Sequence, residues 1–99
     1  MTRIPIHPGE HLKNELDTLG MLATELARQL QVPTNRISEI IKGRRAITAE
    51  TAVRLGHWLG TSAEFWLNLQ KIYELRKAHQ ALTKTLSNLS RLNRRRPAA

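Results

Sequence analysis

The sequence predicts an all-α domain of five helices, the last of them extended toward the C-terminus. Apolar residues recur at three- and four-residue spacing along most of the chain, and no stretch alternates apolar and polar residues as a half-buried strand would. Helix punctuation falls between these runs, at Pro8-Gly9, Gly20, Pro33, Gly43 and Gly60. Capping residues stand where the later runs begin, and no internal repeat is present.

In chain order, Thr2 to Pro5 is too short and polar to form an element. Helix one is expected from near Gly9, with Leu12, Leu16 and Leu19 as its apolar stripe, Glu10 at the positive end of the helix dipole, and Gly20 as its stop. Leu26, Ala27 and Leu30 mark helix two. After Gln31-Val32-Pro33 the period returns as Ile37, Ile40 and Ile41, a third helix of about eight residues that Pro33 opens and Gly43 ends. Helix four has Thr48 as N-cap, Glu50 in its first turn, and a stripe of Ala52, Leu55, Gly56 and Leu59 before Gly60. Thr61-Ser-Ala-Glu64 spells a capping box. From it the fifth helix runs through Phe65, Trp66, Leu69, Ile72 and Tyr73, and its leucines continue past Leu82, Leu86 and Leu89 toward Pro97. The expected division is a core domain over 1–80 and a basic helical extension and tail over 81–99.

Ninety-nine residues allow one domain with a modest core, and chains of this size often draw stability from a partner subunit. Without cysteine there is neither a disulfide framework nor a thiolate metal site, which fits a reducing compartment. No apolar run approaches the ~20 residues of a membrane span, and no signal-peptide pattern opens the chain, so a cytoplasmic protein is expected. The net charge is +8. Residues 1–70 hold eight Lys/Arg against seven Asp/Glu, whereas residues 71–99 hold eight against one. Between positions 36 and 45, however, Arg36, Lys42, Arg44 and Arg45 face only Glu39, which places a local positive patch on the third helix.

That helix carries the most specific functional signal. Opposite Ile37, Ile40 and Ile41 it presents Thr34, Asn35, Ser38 and Glu39, side chains able to hydrogen-bond base edges in a major groove. Arg36, Lys42, Arg44 and Arg45 are placed to meet phosphates. The run Arg91 to Arg96 reads equally as a solvated end or as a phosphate-seeking arm.

The stretch Ala23 to Arg45 resembles the helix-turn-helix of the phage-repressor (XRE-like) family. Four further pieces resemble the HigA antitoxins of type II toxin–antitoxin modules: His7-Pro8-Gly9-Glu10, the run from Arg36 to Thr48, the run from Gly60 to Gln70, and Tyr73-Glu74-Leu75-Arg76. This chain has Leu22-Ala23 where members commonly have Ser or Thr followed by Gln, the pair that supplies a helix cap and a phosphate contact. It has Gln31 where many have Gly, so the resemblance implies a turn that commonly needs a positive φ at that place. The resemblance implies an antitoxin that represses its own operon and neutralises a HigB-like mRNA-cleaving toxin. Composition and helix pattern argue for double-stranded DNA as a partner; only the resemblance argues for the toxin. A stand-alone helix-turn-helix regulator remains open, as does an interaction module that uses the basic C-terminal helix.

Phe65, Trp66, Leu69, Ile72 and Tyr73 make a stripe richer than a small monomer needs, and a homodimer contact is expected there. Two third helices would then lie roughly 34 Å apart and read a palindromic operator. The alternative is that the aromatics cap the monomer's own core. His7-Pro-Gly-Glu-His11 matches the spelling of some zinc sites, but Pro8-Gly9 interrupts the helix that would bring both histidines to one face, so no metal is expected. His57 is expected packed and His79 solvated. No nucleophile elbow or phosphate-cradling glycine loop is present, and neither an enzyme nor a cofactor is expected.

Overall fold

The computed structural model describes residues 4–92. Among them are six helices and no strand: α1 Pro8–Leu19, α2 Ala23–Leu30, α3 Thr34–Ile41, α4 Ala49–Leu59, α5 Ala63–Ala81 and α6 Thr83–Asn88. Helix α2 packs on α3, α4 on α5, and α1 on both α3 and α5. Helices α1 to α5 each contribute to one core: Leu12 and Leu16, Leu26, Ala27 and Leu30, Ile37 and Ile40, Ala52 and Leu55, and Trp66, with Ile47 from the loop before α4.

Three helix ends share one geometry, in which two backbone N–H groups past the end fold back onto the last turn. Gly20 donates to the Asp17 carbonyl and Met21 to Leu16; Gln31 donates to Arg28 and Val32 to Ala27; Gly43 donates to Ile40 and Arg44 to Glu39. Each reversal needs a left-handed residue. Gln31 takes that place with φ 59°, the one non-glycine with positive φ among the described residues. A Cβ in this region is crowded by the following carbonyl, so Gln31→Gly should raise stability by about 1 kcal/mol, read as a higher urea midpoint with unchanged slope.

Several expectations are corrected. The extended fifth helix breaks at Leu82 (φ −102°, ψ 7°), giving six helices rather than five. Thr83 Oγ1 donates to the His79 carbonyl at 2.9 Å, and such back-bonding bends an exposed helix that no neighbour holds straight. Leu19 is 51% exposed. It lies beyond the core at the end of α1, and Met21, folded back by the turn, packs against the core instead. Pro33 is the N-cap of α3 rather than its first residue. Ser62, not Thr61, caps α5: its Oγ accepts from the Phe65 N–H at 3.0 Å, while Thr61 Oγ1 accepts from Trp66 Nε1 at 2.9 Å. His57 is exposed, as is His79. Pro97 and the arginines at 94–96 lie outside the described residues.

Leu22 supplies no side-chain cap to α2, but Glu25 Oε1 accepts from the Leu22 N–H at 2.8 Å, half of a capping box. Arg54 closes the other end of α2, donating through Nη1 to the Leu30 carbonyl at 2.7 Å. The turn between α2 and α3 is thus held from α4.

Candidate nucleic-acid interface

Helix α3 is seated by Ile37 and Ile40, both fully buried. On the opposite side Thr34, Asn35 and Lys42 are exposed, and Arg36, Ser38 and Glu39 are half-buried. The structure therefore brings the four base-reading candidates onto one accessible face. Ser38 Oγ donates to the Asn35 carbonyl at 3.1 Å, which leaves its lone pairs for a base amino group. Arg36, Lys42 and Arg44 form no ion pair among the described residues. Arg45 does: its Nε and Nη2 lie 2.8 and 2.7 Å from Glu39 Oε1.

The loop from Lys42 to Thr48, which carries Arg44 and Arg45, is held by two residues that sequence reasoning did not single out for this role. Gln70, buried in α5, accepts from the Ile47 N–H through Oε1 at 2.8 Å and donates through Nε2 to Glu74 at 2.8 Å. His7 caps α1, with Nδ1 accepting from the Gly9 N–H at 2.8 Å, and its ring meets Tyr73 edge-on at 4.8 Å. Gly43 backs onto the same ring. A histidine directly before Pro-Gly at a helix start was a readable capping signal; nothing in the sequence pairs Gln70 with Ile47.

Burial holds the His7 pKa below its ordinary value of 6.5, against the opposing pull of the Arg45 backbone; Lys77 lowers it further and Glu10 raises it. Protonation would also end the cap, since Nδ1 could no longer accept. The unfolded chain therefore binds this proton more readily than the folded one. The stabilisation is complete above about pH 6.5 and is lost as the pH falls through the folded pKa. His7→Asn, which keeps a capping acceptor but does not titrate, should flatten this part of the stability profile in urea melts between pH 5 and 7.

The expected dimer stripe is divided by the structure. Trp66 is 1% exposed, pinned by its Thr61 bond, and belongs to the subunit's own core, a correction to its place on the interface. Tyr73 is half-buried against His7 with Lys77 Nζ 5.2 Å from its ring centroid, and Leu69 packs against the core. Phe65 and Ile72 are 44% and 41% exposed, and Leu75 is exposed beyond them.

With α2 packed behind it and its polar face outward, α3 has the arrangement of the second helix of a helix-turn-helix DNA-binding domain. A helix-turn-helix family model matches residues 12–66. An addiction-module antidote protein of the HigA family from Coxiella burnetii superposes with TM-score 0.87 at 44% identity, covering 92% of this chain and 100% of that one. The Pseudomonas aeruginosa antitoxin HigA, solved with the higBA promoter, gives TM-score 0.84 at 40% identity over 88% and 96%. Virulence-associated protein I of Dichelobacter nodosus is 47% identical over 76 residues, 76% of this chain and 70% of that protein. The chain belongs to the helix-turn-helix family and, within it, to the HigA-type antitoxins.

Proposed function

We propose that this chain is the antitoxin of a type II module: a cytoplasmic homodimer that binds a palindromic operator through α3, represses its own operon, and neutralises a HigB-like mRNA-cleaving toxin. The observation that carries the DNA-binding half is the accessible polar face of α3 beside three cations that form no ion pair among the described residues. Support for the toxin comes from the family. The proposed dimer contact uses Phe65 and Ile72, exposed on α5, with the partly buried Leu69 beside them. No helix among the described residues is long and apolar enough to cross a membrane. DNA binding needs no catalytic group or cofactor.

Base contacts and phosphate contacts separate experimentally. Asn35→Ala should weaken operator binding by about 1–3 kcal/mol while leaving random-sequence DNA unaffected. Arg44→Ala should weaken both and reduce the slope of log K against log salt by about one unit per subunit. Fluorescence anisotropy titrations at several salt concentrations read both quantities. For the toxin, a HigB-like ribonuclease encoded beside this chain is expected; co-expression of the chain should restore growth to cells arrested by that ribonuclease, and continued arrest would remove the antitoxin assignment.

A further inference from the structure

We propose that Arg45 is a positioning residue rather than a phosphate contact: its ion pair with Glu39 aims one carboxylate oxygen at the amino group of a cytosine in each half-site. The inference rests on the reading role of α3 and changes only the part played by Arg45.

The geometry begins at the end of α3. Gly43, with φ 75°, reverses the chain, and the Arg44 N–H donates to the Glu39 carbonyl at 2.9 Å, so residues 44 and 45 fold back over the last turn of α3. The Arg45 side chain thereby reaches Glu39, six positions earlier. Its Nε and Nη2 converge on one oxygen, Oε1, at 2.8 and 2.7 Å. Oε2 receives no hydrogen bond among the described residues. The Gln70 bond to Ile47 anchors the far end of this loop and keeps Arg45 in register.

Three consequences follow. A carboxylate alone on a reading helix is repelled by phosphates, whereas the pair is neutral overall and can enter the groove. A guanidinium already neutralised by Glu39 has little net charge to exchange for counterions, so it adds little to salt-dependent affinity. A carboxylate only accepts hydrogen bonds, and cytosine presents an N4 donor in the major groove with no acceptor of its own, whereas adenine places the acceptor N7 beside its amino group. The pair is half-exposed, with side chains 42% and 35% accessible, and adds little to stability, so removing either partner should leave the fold intact.

The test is selection from a random-sequence duplex library by the wild-type dimer, Glu39→Ala, Arg45→Ala and Arg44→Ala, with salt titrations on one fixed random duplex. Wild type should enrich a cytosine at one position of each half-site. Glu39→Ala and Arg45→Ala should each lower that preference by about 5- to 150-fold, and Arg44→Ala should keep it. Glu39→Ala should also bind the random duplex more tightly, with a slope steeper by about one unit per subunit, because Arg45 is released to the phosphates. Arg45→Ala should leave the slope within about half a unit of wild type. An Arg45→Ala variant that keeps the cytosine and loses slope as Arg44→Ala does would make Arg45 a phosphate contact and overturn the proposal. Retained preference in Glu39→Ala would overturn it equally. Failure of the wild type to enrich any sequence would overturn the reading role of α3 and this proposal with it.

Discussion

Ile72→Asp should give a folded monomer whose operator affinity is lower by about 10²–10⁴-fold. Helix α3 spans only eight residues and reads few base pairs, so one subunit on one half-site binds weakly. Joining two subunits makes the second half-site encounter intramolecular, and the gain is of that order without any new contact to DNA. Ile72 is the better probe because it is 41% exposed and lies outside the buried core, whereas Tyr73 abuts the His7 ring and Trp66 is core. Phe65→Asp is the companion variant, although Phe65 also meets Trp66 edge-on at 5.0 Å. Sedimentation gives the mass, circular dichroism the fold, and an operator titration the affinity. Two folded variants that remain dimeric and bind tightly would move the contact to the Leu82 to Leu89 segment or to the N-terminal residues.

Any side chain at Gly9 should be worse for the fold than the loss of a core methyl. A Cβ there would run into the Ile40 carbonyl at the point where the start of α1 meets the end of α3. Backbone cannot yield as a flexible side chain can, so α1 would have to lift, disturbing the His7 cap and the loop that His7 supports. We expect Gly9→Val to lose about 3 kcal/mol or more of stability. Reduced affinity for operator and random DNA should accompany it, since the loop that carries Arg44, proposed to meet phosphate, would shift. A urea midpoint equal to wild type would show that α1 docks differently.

The helices with long apolar stripes and clear punctuation were legible from sequence because tertiary packing and local preference agree there, as at Leu26, Ala27 and Leu30 or Ile37 and Ile40. Even the strained turn was legible, since Gln31 sits where only a left-handed residue lets the chain reverse. Adjacent residues were harder. Phe65 and Trp66 both fit one stripe, and which of them faces inward is set by how α5 packs on α4 and α1, with the Thr61 hydroxyl then accepting from the buried indole N–H. Leu82 carries no glycine or proline signal, and the break there arises from the neighbouring Thr83 hydroxyl. The candidate site divided in the same way. Its exposed polar residues followed from the helical wheel, but Gln70 lies 23 positions from its Ile47 partner. Arg45 read as one more cation until the turn at Gly43 brought it onto Glu39.

In the proposed function α3 enters the major groove of an inverted-repeat operator, one copy from each subunit. Dimethyl sulfate footprinting of the DNA upstream of the module tests it most directly, because methylation reports guanine N7 in the major groove. Two symmetric protected patches are expected, with centres about 10 base pairs apart, both weakened with Asn35→Ala at a concentration that just protects the operator with wild type. Protection that is absent, confined to one patch, or unchanged by Asn35→Ala would contradict it.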